Sequence, residues 1–133
     1  MKLFLYEILN MSNAIESLAN EKVPPRVRYW ILKNTRLIRE HCAFYEAERK
    51  RLTDEYVEKL SDGSYGIVDE SGNFILNYKN EESESKYKDE LIKLGNLDVE
   101  VQPYLLNYEK LIEENPSFML EAKYELVLDK LIE

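Results

Sequence analysis

The sequence predicts an α+β fold that is mostly helical, with one long helix, a β-hairpin and a small antiparallel sheet. Three observations support this class. The 133 residues include only 4 glycines and 4 prolines, so long regular elements with few tight turns are expected. No glycine or proline interrupts the chain between Pro25 and Asp62. Two short segments, one near each end of the chain, alternate with the period of a strand.

The first alternating segment is Lys2–Ile8, which fits either a strand or the first turns of a helix, and we interpret it as a strand. A helix is then predicted to begin at Asn10 or Ser12, because both residue types are good N-caps, and to end near Asn20. Its apolar residues recur at helical spacing: Met11, Ile15 and Leu18.

A single long helix is predicted from Pro25 to Leu60. Proline is tolerated at the first helical position because the N–H that it lacks has no partner there. Asn34 and His41 interrupt an otherwise continuous stripe of apolar and aromatic residues: Val27, Ile31, Ile38, Tyr45, Leu52, Tyr56 and Leu60. Such a helix is roughly 50 Å long. It therefore needs cover along its length, from other helices of the chain or from a second protein.

Shorter elements follow. Ser64–Asn77 is typical of a β-hairpin, because apolar residues flank the turn formers DESGN. A helix capped by Asn80 or Ser83 is predicted to end at Gly95. We expect the second alternating segment, Asp98–Tyr104, to pair with the first, because an isolated strand leaves its backbone groups unpaired.

Two further helices are predicted at the end of the chain, over Tyr108–Glu113 and from Ser117 to Ile132, on either side of an Asn-Pro break. The sequence contains no internal repeat and no low-complexity linker. We therefore predict one domain that comprises residues 1–133.

Charge is distributed unevenly along the chain. The net charge is −8, with a balance of +4 over residues 1–53 and −12 over residues 54–133. This asymmetry suits either a basic face for an acidic partner or a basic helix packed beside acidic ones.

The single Cys42 excludes a disulfide framework. The N-terminal residues lack the apolar core of a signal peptide, and no stretch approaches the roughly 20 apolar residues of a membrane span. We expect an intracellular, soluble protein without membrane contact.

Few residues suggest chemistry. His41 and Cys42 are the only residues of their types, and neighbours on a helix point about 100° apart. The pair therefore cannot converge on one atom, and a zinc site needs three or four ligands. No Gly-rich phosphate loop, nucleophile elbow or HExxH motif occurs. We predict no catalytic residue, no metal site and no cofactor, and do not expect an enzyme.

A candidate partner-binding site lies near the start of the long helix. Tyr29, Trp30 and Leu37 are apolar or aromatic residues away from the main stripe, as a second contact face requires. The 10 tyrosines of the chain also favour protein contacts, because tyrosine is enriched at interfaces. We predict that this end of the helix binds a partner protein or forms a homodimer.

The alternative is a nucleic-acid site on the same helix. Arg28, Arg39 and Lys50 recur every 11 residues, so they line one helix face and could contact phosphates. The anionic charge of the whole chain opposes this interpretation, because it repels nucleic acid. A third hypothesis, mimicry of nucleic acid, requires the carboxylates of residues 54–133 to form one continuous face.

Several stretches resemble a family of small uncharacterised proteins encoded by tailed phages and prophages of Gram-positive bacteria. They are MKLFLYEILNM, EKVPPRVRYWILKNTRLI, EAERKRLTDEY, DESGNF and LDVEVQPY. The resemblance implies a phage origin and the cytoplasm of a bacterial host, and it carries no assigned chemistry. We therefore expect a non-enzymatic phage accessory protein that binds a protein, as an inhibitor of a host or defence factor or as an assembly component.

Overall fold

The computed structural model describes all 133 residues, and the predicted α+β class is confirmed. Five α-helices accompany two separate two-stranded antiparallel sheets. The elements follow in chain order: β1 (Lys2–Phe4), α1 (Leu5–Ala19), α2 (Pro25–Tyr56), β2 (Gly66–Val68), β3 (Phe74–Leu76), α3 (Glu81–Gly95), β4 (Asp98–Glu100), α4 (Tyr108–Glu114) and α5 (Ala122–Leu128), with a final 3₁₀ turn over Asp129–Leu131.

The chain divides into two compact units. Unit 1 consists of Met1–Ala43 and Leu97–Glu133, and unit 2 consists of Phe44–Asn96. Helix α2 begins in unit 1 and ends in unit 2. The expectation of one domain over residues 1–133 stays a prediction.

The N-terminal strand is shorter than predicted. It ends at Phe4 instead of Ile8, and α1 begins at Leu5 instead of Asn10 or Ser12. A short alternating segment fits the start of a helix as well as a strand. The helix forms here because its buried stripe starts early and continues without a gap: Leu5, Ile8, Met11, Ile15 and Leu18.

The predicted pairing of the two alternating segments is confirmed, but β4 covers only Asp98–Glu100 instead of Asp98–Tyr104. β1 and β4 are antiparallel, with Leu3 opposite Val99, and Leu3 is buried beneath the pair. Unit 1 has a large apolar core to which every one of its helices contributes. Its buried apolar residues are Leu3, Leu5, Ile8, Met11, Ile15, Leu18, Val27, Trp30, Ile31, Ile38, Val101, Leu106, Leu111, Leu120, Tyr124, Leu128 and Leu131.

The long helix is confirmed from Pro25 but ends at Tyr56 instead of Leu60. The next residue, Val57, forms an isolated antiparallel bridge with Tyr78. Val57 is buried at this bridge. If the helix continued beyond Tyr56, its residues would take helical directions and could not pair with Tyr78 as a strand does.

Unit 2 contains the predicted hairpin, with Val68 of β2 opposite Phe74 of β3. Helix α3 begins as predicted, because the side chain of Asn80 accepts a 2.9 Å hydrogen bond from the backbone N–H of Ser83. It ends at Gly95, also as predicted. The core of this unit is small, since only three of its large apolar or aromatic residues are buried: Leu52, Val57 and Tyr87.

The end of the chain is less helical than predicted. α4 agrees with the prediction, but the last helix covers only Ala122–Leu128 instead of Ser117 to Ile132. Ile132 is held in a parallel bridge with Leu106, and this bridge takes the last residues out of the helix.

Candidate protein-binding surfaces

Trp30, predicted to contact a partner, lies instead in the core of unit 1. Its side chain is 1% exposed, and the indole N–H donates a 2.9 Å hydrogen bond to the backbone carbonyl of Leu131. The predicted surface role of Trp30 is therefore wrong. The reason is helical spacing: Trp30 follows Val27 by three residues and precedes Asn34 by four, and all three are buried.

Tyr29 and Leu37, the other two predicted partner residues, remain accessible. Tyr29 is 50% exposed, and its ring meets the ring of Tyr104 edge to face with centroids 5.4 Å apart. The Lys33 ammonium lies 5.9 Å from the Tyr29 ring centroid. Leu37 is half-buried. Leu37, Lys33 and Tyr104 line a groove in unit 1, and Tyr29 contacts that groove only through Tyr104 and Lys33.

We call this surface the Tyr104 groove. Its cavity has a volume of about 410 Å³. The lining residues come from α2 and from the segment after β4: Lys33, Arg36, Leu37, Gln102, Pro103 and Tyr104. Neither the sequence spacing nor the periodicity indicates that these two segments meet.

The buried amide of Asn34 holds the two walls of the Tyr104 groove together. Its Nδ2 donates hydrogen bonds to the carbonyls of Tyr104, at 2.9 Å, and Trp30, at 3.0 Å. Its Oδ1 accepts a 3.1 Å hydrogen bond from the Tyr104 N–H. One side chain thus binds both backbone groups of Tyr104. A single asparagine within the apolar stripe of α2 was the sequence signal for such a contact.

The Tyr104 groove is positively charged. Lys33 and Arg36 have no carboxylate within 4.0 Å, and none of the six lining residues is acidic. Glu40 lies one helical turn beyond Arg36 and forms no ion pair with it. Two unneutralised cations therefore face a groove whose other residues are neutral.

The row of cations predicted to bind nucleic acid is largely occupied by other contacts. The Arg28 guanidinium donates hydrogen bonds to the carbonyls of Ala19, at 3.3 Å, and Glu21, at 2.9 Å. Lys50 forms an ion pair with Asp54 at 3.4 Å. Each of these two side chains has an intramolecular partner that a phosphate would have to replace.

Arg39 is exposed, has no carboxylate partner, and lines a separate cavity of about 350 Å³ in unit 1. Cys42 borders the same cavity, and both Cys42 and His41 are half-buried. No group of three or more His, Cys, Asp and Glu side chains could hold a metal ion. Of the three residues predicted to contact nucleic acid, Arg39 alone has a charged group without an intramolecular partner.

A second groove lies in unit 2, and we call it the hairpin groove. Its cavity has a volume of about 750 Å³. It is bounded by the hairpin and by residues of α2 and α3: Glu46, Ala47, Arg49, Lys50, Thr53, Tyr65, Phe74, Leu76 and Tyr87. The hydroxyls of Thr53 and Tyr87 are hydrogen bonded to each other at 3.0 Å, so these two polar groups are already satisfied.

The charges around the hairpin groove are neutralised locally. Arg49 pairs with Glu46 at 3.0 Å, and Lys50 pairs with Asp54. The hydroxyl of Tyr65 also donates a hydrogen bond to Asp54. This bond lowers the pKa of Asp54, and the nearby Lys50 charge lowers it further. The groove therefore presents apolar surface with an ion-paired rim.

The hairpin itself exposes four large apolar side chains, and together we call them the hairpin surface. Their exposed fractions are 63% for Ile67, 64% for Val68, 57% for Phe74 and 49% for Ile75. Because neighbouring residues of a strand point to opposite faces, both faces of the hairpin are apolar. Consecutive apolar residues in short strands are typical of strands covered on both sides, and this signal was present in the sequence.

Comparisons with known proteins identify no relatives. No protein-family model matches the chain, and no curated protein or solved structure matches it. No helix combines the length and the apolar character needed to cross a membrane.

Proposed function

We propose that the protein acts by binding another protein, and that the hairpin surface and the hairpin groove form the principal contact. The observation that carries this proposal is the exposure of the four apolar side chains Ile67, Val68, Phe74 and Ile75 on a hairpin with three residues per strand. Ile67 and Ile75 form a cross-strand pair on one face and Val68 and Phe74 form one on the other, so each face exposes apolar surface of the kind that marks an interaction site in soluble proteins. No catalytic role is proposed for any residue.

The small core of unit 2 supports the same proposal. A two-stranded hairpin is marginally stable in water unless another layer packs against it. Each strand of the hairpin has a single neighbouring strand, so its outer edge remains unpaired. We propose that an extended apolar segment of the partner adds to this edge and packs on the hairpin surface. Because the cations at the rim of the hairpin groove are paired with carboxylates, the rim does not favour a strongly charged ligand.

The biological setting is part of the proposal. An accessory protein of a phage, acting in the cytoplasm of a bacterial host, would meet such a partner as a host or defence factor or as a component of phage assembly. A second copy of the chain is another candidate partner, because open strand edges also pair with each other.

The test is capture of partners from a bacterial lysate with matched variants. Ile67→Thr combined with Ile75→Thr removes apolar surface and retains residues that favour strands. The control is Met119→Gln combined with Leu126→Gln, because these two side chains are 80% and 79% exposed in unit 1. We expect a defined protein to bind the wild type and the control but not the hairpin variant. If the hairpin variant captured the same protein as well as the control does, the hairpin surface would not be the binding site.

Light scattering at two concentrations separates a second copy from a foreign partner. A wild-type dimer that the hairpin substitutions dissociate identifies the protein itself as the occupant. Nucleic-acid binding, the alternative function, is tested by titration with single-stranded and duplex DNA at two salt concentrations. Tight binding with a steep salt dependence, lost on replacement of Arg39, would favour that alternative.

A further inference from the structure

We propose that the Tyr104 groove is a second, independent binding site, and that it takes an acidic segment of a protein. Carboxylates of the segment would contact Lys33 and Arg36, and a neighbouring apolar or aromatic residue would pack on Leu37 and Tyr104. This site lies in unit 1 and does not depend on the hairpin surface of unit 2.

The first argument is charge. The chain has 26 acidic and 18 basic residues, and most of its exposed lysines on α3 and arginines near the end of α2 pair with a carboxylate. Lys33 and Arg36 are exceptions, and they lie three residues apart, so both project from one side of α2. Complementary charge fixes the register of a bound segment and repels wrong partners. A carboxylate is the complement that the groove lacks.

The second argument is preorganisation. Asn34 fixes the backbone of Tyr104 through both its N–H and its carbonyl, and Pro103 restricts the adjacent backbone. The Tyr104 ring is held against Tyr29. A ligand therefore meets walls that are already in place and does not have to order them on binding.

The third argument separates an acidic peptide from nucleic acid. A polynucleotide places a phosphate at every step and needs a track of cations. The groove offers two cations in about 410 Å³. Arg28, on the same helix, is occupied by backbone carbonyls, and the unpaired Arg39 lines a separate cavity. A peptide with one or two carboxylates beside an apolar residue matches this supply of charge.

The experiment measures binding of a labelled peptide, Glu-Glu-Leu-Phe-Glu-Glu, by fluorescence anisotropy, with a Gln-Gln-Leu-Phe-Gln-Gln peptide as its neutral counterpart. The test variant is Lys33→Gln combined with Arg36→Gln. The matched control is Lys86→Gln combined with Arg51→Gln, which removes the same two charge types from ion-paired positions in unit 2. Circular dichroism melting shows that each variant is folded.

We expect the groove variant to lose about tenfold or more in affinity for the acidic peptide, while the control keeps its affinity. The affinity of the wild type should fall between about 50 and 300 mM salt, because the contact is charged and close to the surface. The neutral peptide should bind as weakly to the wild type as the acidic peptide binds to the groove variant.

Three results would overturn the proposal: no peptide binding by the wild type at about millimolar concentration, equal loss of affinity in both variants, or displacement of the peptide by single-stranded DNA at lower concentration. The last result would assign the groove to nucleic acid. The hairpin variant, Ile67→Thr with Ile75→Thr, should bind the acidic peptide normally. The two proposals can therefore fail separately.

Discussion

The hairpin groove and the Tyr104 groove both border α2 but differ in charge and in support. In unit 2 the cations of α2 find carboxylates on the same helix, as Arg49 does with Glu46, so the hairpin groove is apolar and neutral. In unit 1 Lys33 and Arg36 have no such partner, so the Tyr104 groove is cationic. Whether the cations of α2 form ion pairs thus decides which chemistry each groove can bind.

The walls of the two grooves also differ. The Tyr104 groove is supported by the buried amide of Asn34 and a large apolar core. The hairpin groove has one wall made of a short hairpin whose Ile67 and Ile75 are exposed. We therefore expect substitutions beneath the first groove to destabilise unit 1 strongly, and substitutions in the hairpin to act locally.

The largest effect is expected for Asn34→Ala. The change removes three hydrogen bonds and leaves the backbone groups of Tyr104 unpaired, at a cost of about 3 kcal/mol. Urea denaturation measures the loss. Asn13→Ala, at an exposed position of α1, is the control and should change stability little. A loss below about 1 kcal/mol would show that this amide does not support the groove.

Gly66→Ala is expected to destabilise the hairpin, which forms one wall of the hairpin groove, by about 2 kcal/mol. A Cβ at this position would lie 2.0 Å from the carbonyl oxygen of Ile75, so the two strands would have to separate. Amide hydrogen exchange at Ile67 and Ile75 reports this local opening. Gly72→Asn is the comparison, because Gly72 needs its positive φ of 85° but has open space around it, and asparagine tolerates that conformation. Unchanged exchange in the Gly66 variant would contradict the close approach.

A smaller, pH-dependent effect is expected for Glu7→Gln in unit 1. The 2.6 Å ion pair with Lys130 and the hydrogen bond from the Phe4 N–H lower the pKa of Glu7 below its ordinary value of 4.5. A lowered pKa contributes stability above the unfolded-state value, and that stability is lost as pH falls through the folded-state value. The variant should lose about 1 kcal/mol at pH 7, because the pair is partly exposed.

The matching measurement is stability as a function of pH. The difference between the wild type and the Glu7 variant should shrink as pH falls below about 4.5. Glu109→Gln, at an exposed position without an ion pair, serves as the control. A constant difference down to acidic pH would mean that the charge of Glu7 is not what stabilises unit 1.

The smallest effect is expected for Tyr87→Phe in unit 2. The substitution removes the hydroxyl that is hydrogen bonded to Thr53, while the ring stays in the small core. Because Thr53 also donates to the Arg49 carbonyl, we expect a loss of only about 0.5–1 kcal/mol. Tyr6→Phe, on an exposed ring of unit 1, should be neutral. A large loss would imply that the hairpin groove is supported by polar contacts.

Local patterns in the sequence predicted most of the elements. Asn80 and Gly95 mark the ends of α3 because capping depends on neighbours within a few residues. The predicted start of α1 is wrong because Lys2–Ile8 satisfies both the strand and the helix period. Burial against the rest of unit 1 decides between them, and that is a tertiary effect.

The candidate sites were harder to predict. The sequence predicts Trp30 on the surface because the main apolar stripe of α2 contains its neighbour Ile31, yet both residues are buried. The Tyr104 groove joins residues about 70 positions apart, which no spacing rule detects. Tyr29 and Leu37 are nonetheless predicted at this end of the helix, because aromatic and apolar residues outside the main stripe can be recognised in the sequence alone.

Unit 1 is built from two separate segments of the chain, so the order in which they are synthesised determines when this unit can fold. Unit 2 is continuous over Phe44–Asn96, so its contacts are local and can form early. β1 leaves the ribosome long before β4, its partner in the sheet. The newly made β1, with its apolar Leu3, must therefore wait for about 95 further residues, and this interval is when the nascent chain is most open to aggregation or to a chaperone.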